Sequence, residues 1–500
     1  MIRTNYWLSL LGRSFVASVV SIVGFVTSAS AATMTNSLVI PGESTDLYPS
    51  NSNNANTNRL GGLFSDLYYD RYSNVYYGLV DRGPGGGIID YKTRVQKFSL
   101  DVDHNTGAIS NFQLLDTILF TKNGDNFNGL NPNLLNGNSG TLGLSLDSEG
   151  FAIAPNGNYY ISDEYGPSIY EFSPTGKFIR VFETPGNLLS KAGSNVNYVD
   201  GRPIITSGRQ DNRGFEGVTL SPDGSKLYAM LQDPLVNEGA SNDGRRSQNL
   251  RLVEFDTATG QSTGQYIYQL ESLSDINDRL PGTADDFSAT AQGRNIAISA
   301  ITALNDKEFL VLERDNRGLG VDPATSAQPT GSKRVYKINL TGATDVSNIS
   351  LAGTNNLPSG VTPVSKSTSP FIDIADILKG NGQIIPEKFE GLAIGPQLAD
   401  GSYAIIMGTD NDFSVTQNSS NVQFDVCTDG TNSTQVPIDS GCPAGKSLIP
   451  SYLYSFKASS QELQGFVPPE KIPEPTASAG LILLGLSAFW LKRQTKAVSH

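Results

Sequence analysis

Apolar residues recur at every second position in short runs, and each run is followed by turn residues. From Glu149 the chain reads EGFAIAPNGNYYISDEYGPSIYEFSPTG. The order returns at Glu216 as EGVTLSPDGSKLYAMLQDP, continuing as LRLVEFDTATG, and at Glu390 as EGLAIGPQLADGSYAIIMGTDND, ending on SYLYSFKAS. Weaker copies start at Ser299 (SAITALNDKEFLVLERDNRG) and Gly61 (GGLFSDLYYDRYSNVYYGLVDRG). Each copy predicts an alternating strand, an Asn-Gly or Asp-Gly turn, a second strand ending in acid, and a third strand. Repeated antiparallel meanders predict an all-β fold, a β-propeller. Five units are visible, their starts 67 to 91 residues apart. The expectation is five to seven blades, with six preferred. The sixth would be shared between the termini through SLVIPG near Leu38, or hidden in the inserts 186–212 or 343–388. A pair of β-sandwiches is the competing architecture, but it leaves the recurring register unexplained.

Period two places Glu149 with Phe151 and Ile153, Glu216 with Val218 and Leu220, and Glu390 with Leu392 and Ile394. The glutamate thus heads the stripe of core aliphatics, while Gly150 and Gly391 on the opposite face allow close backbone approach. The second strand ends in acid each time: Asp81, Asp163 with Glu164, Asp233, Glu313 with Asp315, and Asp410 with Asp412. A hairpin returns that end to the start of strand one, so these acids gather at one rim with Arg82, Arg213, Arg314 and Arg317. Two readings stand. One is a solvated salt-bridge ring. The other is a hard-cation site, Ca²⁺ being the expected ion, with Glu149, Glu216, Glu313, Asp315, Glu390 and Asp410 as ligands. Glu216, Asp163, Glu164, Arg213 and Arg314 would then act on a phosphoryl or acyl group.

The bulk composition narrows the field. With 51 Gly, 26 Pro and a net charge of −13, the chain is turn-rich and acidic, which excludes nucleic acid as an expected partner. Arg3, Arg13, an apolar run from Phe15 to Val26 and the small residues Ala29-Ser30-Ala31 predict an export signal over 1–31. A polar lead-in and possible ring-closing strand follow over 32–60, and the propeller domain over 61–469. Over 470–500, Pro473-Glu474-Pro475, an apolar run from Ala477 to Leu491 and Lys492-Arg493 predict a short membrane-directed helix. This order resembles a PEP-CTERM sorting tail, which implies an exosortase-type partner and transient membrane attachment; a plain tail anchor is the alternative. Both put the protein outside the cytoplasm, at the surface, in the outer envelope or extracellular. Cys427 and Cys442 are the two cysteines, and an exported chain predicts their disulfide. His104 lies in a turn, no G-x-S-x-G or phosphate loop occurs in the mature chain, and a Ser-His-Asp triad is poorly supported.

The segments DSEGFAIAPNGNYYISDEYGPSIYEFSPTGKFIRVFETP, NRGFEGVTLSPDGSKLYAMLQDPL, FLVLERDNRG and KFEGLAIGP resemble the phytase-like family, described as having esterase-like activity. The resemblance implies a β-propeller and a hydrolase of phosphate or related esters acting on a small molecule. It transfers to Glu149, Asp163, Glu164, Glu216, Glu313, Arg314, Asp315 and Glu390. Gly61-Gly62 and Ser299-Ala300 stand where other units have Glu-Gly, which breaks the symmetry. The alternative is a non-catalytic surface or matrix propeller that binds a glycan or protein partner; on either reading a monomer is expected.

Overall fold

The computed structural model describes residues 31–471, except 51, 289 and 322–327, together with the short strand Val19–Val20. Most of the predicted export signal and the apolar run of the tail lie outside these residues. Among the described residues, no helix is long and apolar enough to cross a membrane.

The five repeat units form five antiparallel meanders. Sheet one comprises Leu63–Asp70, Val75–Val80, Arg94–Val102 and Ile109–Leu119. Sheet two comprises Ser148–Ile153, Tyr159–Asp163, Ser168–Phe172 and Phe178–Val181, and sheet three Phe215–Leu220, Lys226–Leu231, Asn249–Asp256 and Gln261–Gln269. Sheet four holds Ile296–Ala303, Glu308–Asp315 and Lys333–Asn339, edged by Ser365–Lys366 and Ile372–Asp373. Sheet five holds Lys388–Gln397, Tyr403–Asp410 and Ser451–Ala458, and its next strand is Thr33–Ile40 from the other end of the chain. The SLVIPG segment therefore completes the fifth meander instead of starting a sixth. Insert 186–212 contains only a two-stranded hairpin, and 343–388 supplies the edge of sheet four and the helix Ile374–Gly380. The result is an all-β, propeller-like fold.

The first strand of each sheet packs against that of the next, and the fifth packs against the first. Small residues permit this approach: a Cβ on Gly150 would lie 2.7 Å from Val218 N, and one on Gly217 2.9 Å from Ile301 N. Hydrogen bonds cross these seams, from Phe151 N to Asp66 Oδ2 (2.8 Å), Ala303 N to Thr219 Oγ1 (3.0 Å) and Thr302 Oγ1 to the Leu392 carbonyl (2.8 Å). The apolar cores accordingly lie between neighbouring sheets. Tyr77, Phe151 and Ile161 fill the seam between sheets one and two; Leu312, Leu392 and Met407 fill that between four and five. Each such side chain, fully buried, stabilises the fold by about 1.5–3 kcal/mol.

Between the second and third strands of sheet five sits a small lobe with strands Val415–Gln417, Gln423–Thr428 and Ser433–Pro437. The predicted disulfide Cys427–Cys442 is present in it. Arg59 ties the lobe to the lead-in segment through Asp425 (2.6 Å) and Asp439 (2.8 Å). At the far end of the first strands, the C-terminal segment crosses the assembly: Val467 N donates to the Leu304 carbonyl (2.7 Å) and Glu470 N to the Pro222 carbonyl (2.7 Å).

Candidate functional site

A β-bulge sets the site. In sheet three Phe215 pairs with Leu231 and Gly217 with Met230, which leaves Glu216 as an extra residue. In sheet five Glu390 occupies the same place between Phe389 and Gly391, and in sheet four Ser299 lies between Ile298 and Ala300. Sheet two is irregular across Glu149 as well. An inserted residue interrupts the two-residue alternation and re-aims its side chain. The expectation that the glutamate simply heads the core stripe is thereby corrected. These residues sit at the bulge, at the mouth where the first strands begin.

The hairpins bring the second-strand acids to the same mouth: Asp163 pairs with Ser148, and Asp410 with Lys388. Two groups of carboxylates have their oxygens within 4.8 Å of one another, Asp147 with Glu149 and Glu164, and Asp81 with Asp410 and Asp412. Their surroundings differ. In the second group Lys388 Nζ lies 2.5 Å from Asp410, 2.9 Å from Asp412 and 3.5 Å from Glu390, so an ammonium already neutralises it. Asp412, Phe413 and Ser414 all have left-handed φ, at 45°, 55° and 57°, and the mouth holds them there at a cost of about 1–2 kcal/mol per residue. In the first group the nearest cation is Arg82, whose Nη1 is 2.9 Å from Asp147 Oδ2.

Several buried carboxylate oxygens lack any hydrogen-bond partner among the described residues: Glu164 Oε1, Glu216 Oε2 and Glu390 Oε2. Glu164 is 2 % exposed, and Glu216 and Glu390 are 1 % exposed. Uncompensated carboxylates at such burial are costly, and Glu164 and Glu216 respond by holding their protons. Burial, then the charges of Glu216 and Asp147, pushes the Glu149 carboxyl well up. Burial and Asp147 do the same to Glu164. Burial, then Glu390, pushes Glu216 to about 8. Burial and Asp412 raise Glu387 to about 7, while burial raises Asp410 to about 7 against the pull of Lys388. The donor set is entirely oxygen and over-supplied with negative charge, which fits a hard divalent cation.

Guanidinium groups rim this space. Arg314 Nε donates to Ser299 Oγ (2.8 Å), and its Nη2 to Glu390 Oε1 (2.5 Å). Arg213 is bonded to Gln232 and lies 3.4 Å from Asp233, with a quarter of its side chain exposed. Glu149, Glu164, Glu216, Glu390, Asp410, Arg213 and Arg314 thus belong to one mouth.

Three predicted residues do not contribute as expected. Glu313 accepts from the Tyr268 hydroxyl and from Glu271 N (2.9 Å) and is ion-paired with Lys366, which consumes its lone pairs away from the cluster. Asp315 is buried against Lys333 (2.8 Å) and accepts from the backbone of Arg317, Gly331 and Ser332. Asp163 accepts from Asp147 N (3.0 Å) and Tyr165 N (3.1 Å), and so shapes the loop that presents Asp147 and Glu164. Conversely, Asp147, Glu387 and Lys388 belong to the mouth without having been singled out. A faint signal exists, because Asp147 and Lys388 each stand two residues before the repeat glutamate.

Comparison with other proteins adds three likenesses. An uncharacterized secreted protein of Arthroderma benhamiae is 27 % identical, the match covering 73 % of this chain and 85 % of that protein. Hydrazine synthase of Kuenenia stuttgartiensis is 13 % identical over 71 % of this chain and 78 % of its own, with a TM-score of 0.27. A putative 6-phosphogluconolactonase from Bacteroides uniformis is 11 % identical over 77 % and 85 %, with a TM-score of 0.28. A family model matches residues 58–413, spanning four of the five meanders and the first two strands of the fifth, and on that match the chain belongs to the phytase-like family, described as "esterase-like activity of phytase".

Proposed function

We propose that the chain is an exported, cation-dependent hydrolase of phosphate or carboxylic esters, working at the mouth of a closed five-bladed propeller. The observation that carries this is the set of buried, unpartnered carboxylate oxygens on Glu164, Glu216 and Glu390 beside partly exposed guanidinium groups. Asp147, Glu149 and Glu164 would hold the cation, Ca²⁺ being the ion that an all-oxygen set from loops suits best. Bound there, it supplies Lewis acidity toward an ester oxygen.

The chain's own groups do the rest. Arg82 and Arg213, each with about a fifth to a quarter of the side chain exposed, bind and orient anionic or carbonyl oxygens of the substrate. Glu216 Oε2 takes the proton of an attacking water or returns it to the leaving oxygen. Arg314 and Lys388 hold Glu390, Asp410 and Asp412 in place. Asp163 positions the loop beneath. Export follows the predicted signal over 1–31 and the likeness to the secreted protein of Arthroderma benhamiae. Processing of the C-terminal tail by an exosortase-type enzyme rests on the sequence pattern.

The test is hydrolysis of p-nitrophenyl phosphate, bis(p-nitrophenyl) phosphate and p-nitrophenyl butyrate, with Ca²⁺ and with chelator. Turnover of at least one substrate is expected, lost in chelator and reduced at least about 100-fold by Glu216→Gln. Absence of turnover on all three, with Ca²⁺, Mg²⁺, Mn²⁺ and Zn²⁺ each supplied, rejects the proposal.

A further inference from the structure

A second concave site lies at the opposite end of the first strands, Pro155 in its lining standing six residues beyond Glu149, about 20 Å at ~3.3 Å per residue. It is a groove of about 160 Å³ between sheets one and two, walled on its third side by the C-terminal segment. Tyr68, Tyr72, Tyr77 and Tyr159 line it, with Pro155 and Pro174. Two acids, Asp70 and Glu470, and two bases, Arg71 and Lys471, flank these rings, so the lining carries no net charge.

The rings are fixed in place. Tyr77 stacks on Phe151 (centroids 5.5 Å apart, 22°) and meets Tyr159 at 5.8 Å, making a rigid floor. Tyr72 stands at the rim with 54 % of its surface exposed. Its backbone N–H donates to Asp70 Oδ1 (3.0 Å), its hydroxyl to the Pro469 carbonyl (2.8 Å), and Lys471 Nζ lies 5.8 Å from its ring. Arg71 is held between the rings of Tyr69 (5.7 Å) and Phe466 (5.4 Å). An exposed ring is here held by its backbone on one side and by its hydroxyl on the C-terminal segment on the other. The same bracing is what a stacking platform needs, because the ring then loses little freedom when it binds.

The chemistry that such a groove recognises is narrow. Flat aromatic faces offer dispersion and CH–π contact, the phenol hydroxyls and the flanking carboxylate and guanidinium groups offer hydrogen bonds, and the balanced charge favours a neutral guest. We infer that this groove binds a neutral oligosaccharide, one pyranose ring stacking on Tyr72 over the Tyr77–Tyr159 floor while its hydroxyls meet Asp70 and Arg71. The site is independent of the mouth and does not depend on whether the mouth hydrolyses esters. It would hold the protein on extracellular polysaccharide with the carboxylates facing away.

Cellohexaose in titration calorimetry, and migration through native gels containing hydroxyethylcellulose, test this. The wild type should bind and be retarded. Tyr72→Ala should weaken binding at least tenfold, with an unchanged melting temperature and unchanged ester hydrolysis, while Tyr68→Phe, which keeps the ring, should still bind. Absence of binding by the wild type, or equal binding by Tyr72→Ala, overturns the assignment. Displacement of the sugar by a synthetic peptide of residues 472–478 also overturns it, since the groove would then belong to the chain's own continuation.

Discussion

Arg314 in sheet four and Glu390 in sheet five are joined across their seam by a 2.5 Å contact, with side-chain exposures of 9 % and 2 %. Truncating one partner leaves the other as a charge buried in a mouth already rich in carboxylates. Arg314→Ala is expected to lower unfolding stability by about 3–5 kcal/mol, and adding Glu390→Gln should restore part of it. Urea denaturation of both variants measures the difference.

Stability of the chelated protein should fall as pH rises. Glu216, raised to about 8, and Glu387 and Asp410, raised to about 7, hold more protons when folded than when unfolded. Their contribution is therefore fully present below the unfolded carboxyl range and is lost between about pH 4.5 and 8, at a slope of up to ~1.4 kcal/mol per pH unit per group. A higher melting temperature at pH 5.5 than at pH 8.5 is expected. Saturating Ca²⁺ should raise the melting temperature more at pH 8.5, because protons compete with it for Glu149 and Glu164, whose carboxyls are likewise pushed up. A flat profile in chelator would contradict these assignments.

Gly217→Ala tests the seams without touching charge. The added methyl would lie 2.9 Å from Ile301 N and 3.1 Å from Ala300 C, both backbone atoms that cannot step aside singly. A loss of about 1–3 kcal/mol is expected by denaturant titration. Gly186, around which a Cβ would meet nothing within 4 Å, provides the neutral control.

Replacing Cys427 and Cys442 by serine opens a loop of 15 residues, worth ~3 kcal/mol on the chain-entropy view. Arg59 still pins the lobe through Asp425 and Asp439, so the loss should appear as increased proteolysis within 415–448, with the main transition little changed. Limited trypsin digestion followed by mass analysis distinguishes the two.

The hairpins were legible because their signals are local. Asn156-Gly157 and Asp223-Gly224 are turns where predicted, and both glycines have left-handed φ, at 87° and 70°. The small residues of the seams were legible too, through Gly150 and Gly391. The bulge was not, since an extra residue leaves the apolar pattern on either side intact and shows itself only in pairing. Glu313 and Asp315 misled for the same reason: they end a second strand like Asp163 and Asp410, yet Lys366 and Lys333 reach them from segments distant in sequence. The difference between the two acidic groups likewise depends on where one ammonium lands, and no spacing rule encodes that.

Thr33–Ile40 pairs with Ser451–Ala458, so the earliest described strand of the main fold and its last are neighbours. A polypeptide made from its amino end cannot satisfy that edge until more than four hundred further residues have followed. The seam between sheets one and five thus remains unlocked throughout synthesis, and the carboxylate mouth it helps to enclose comes into being only once the whole chain has been made.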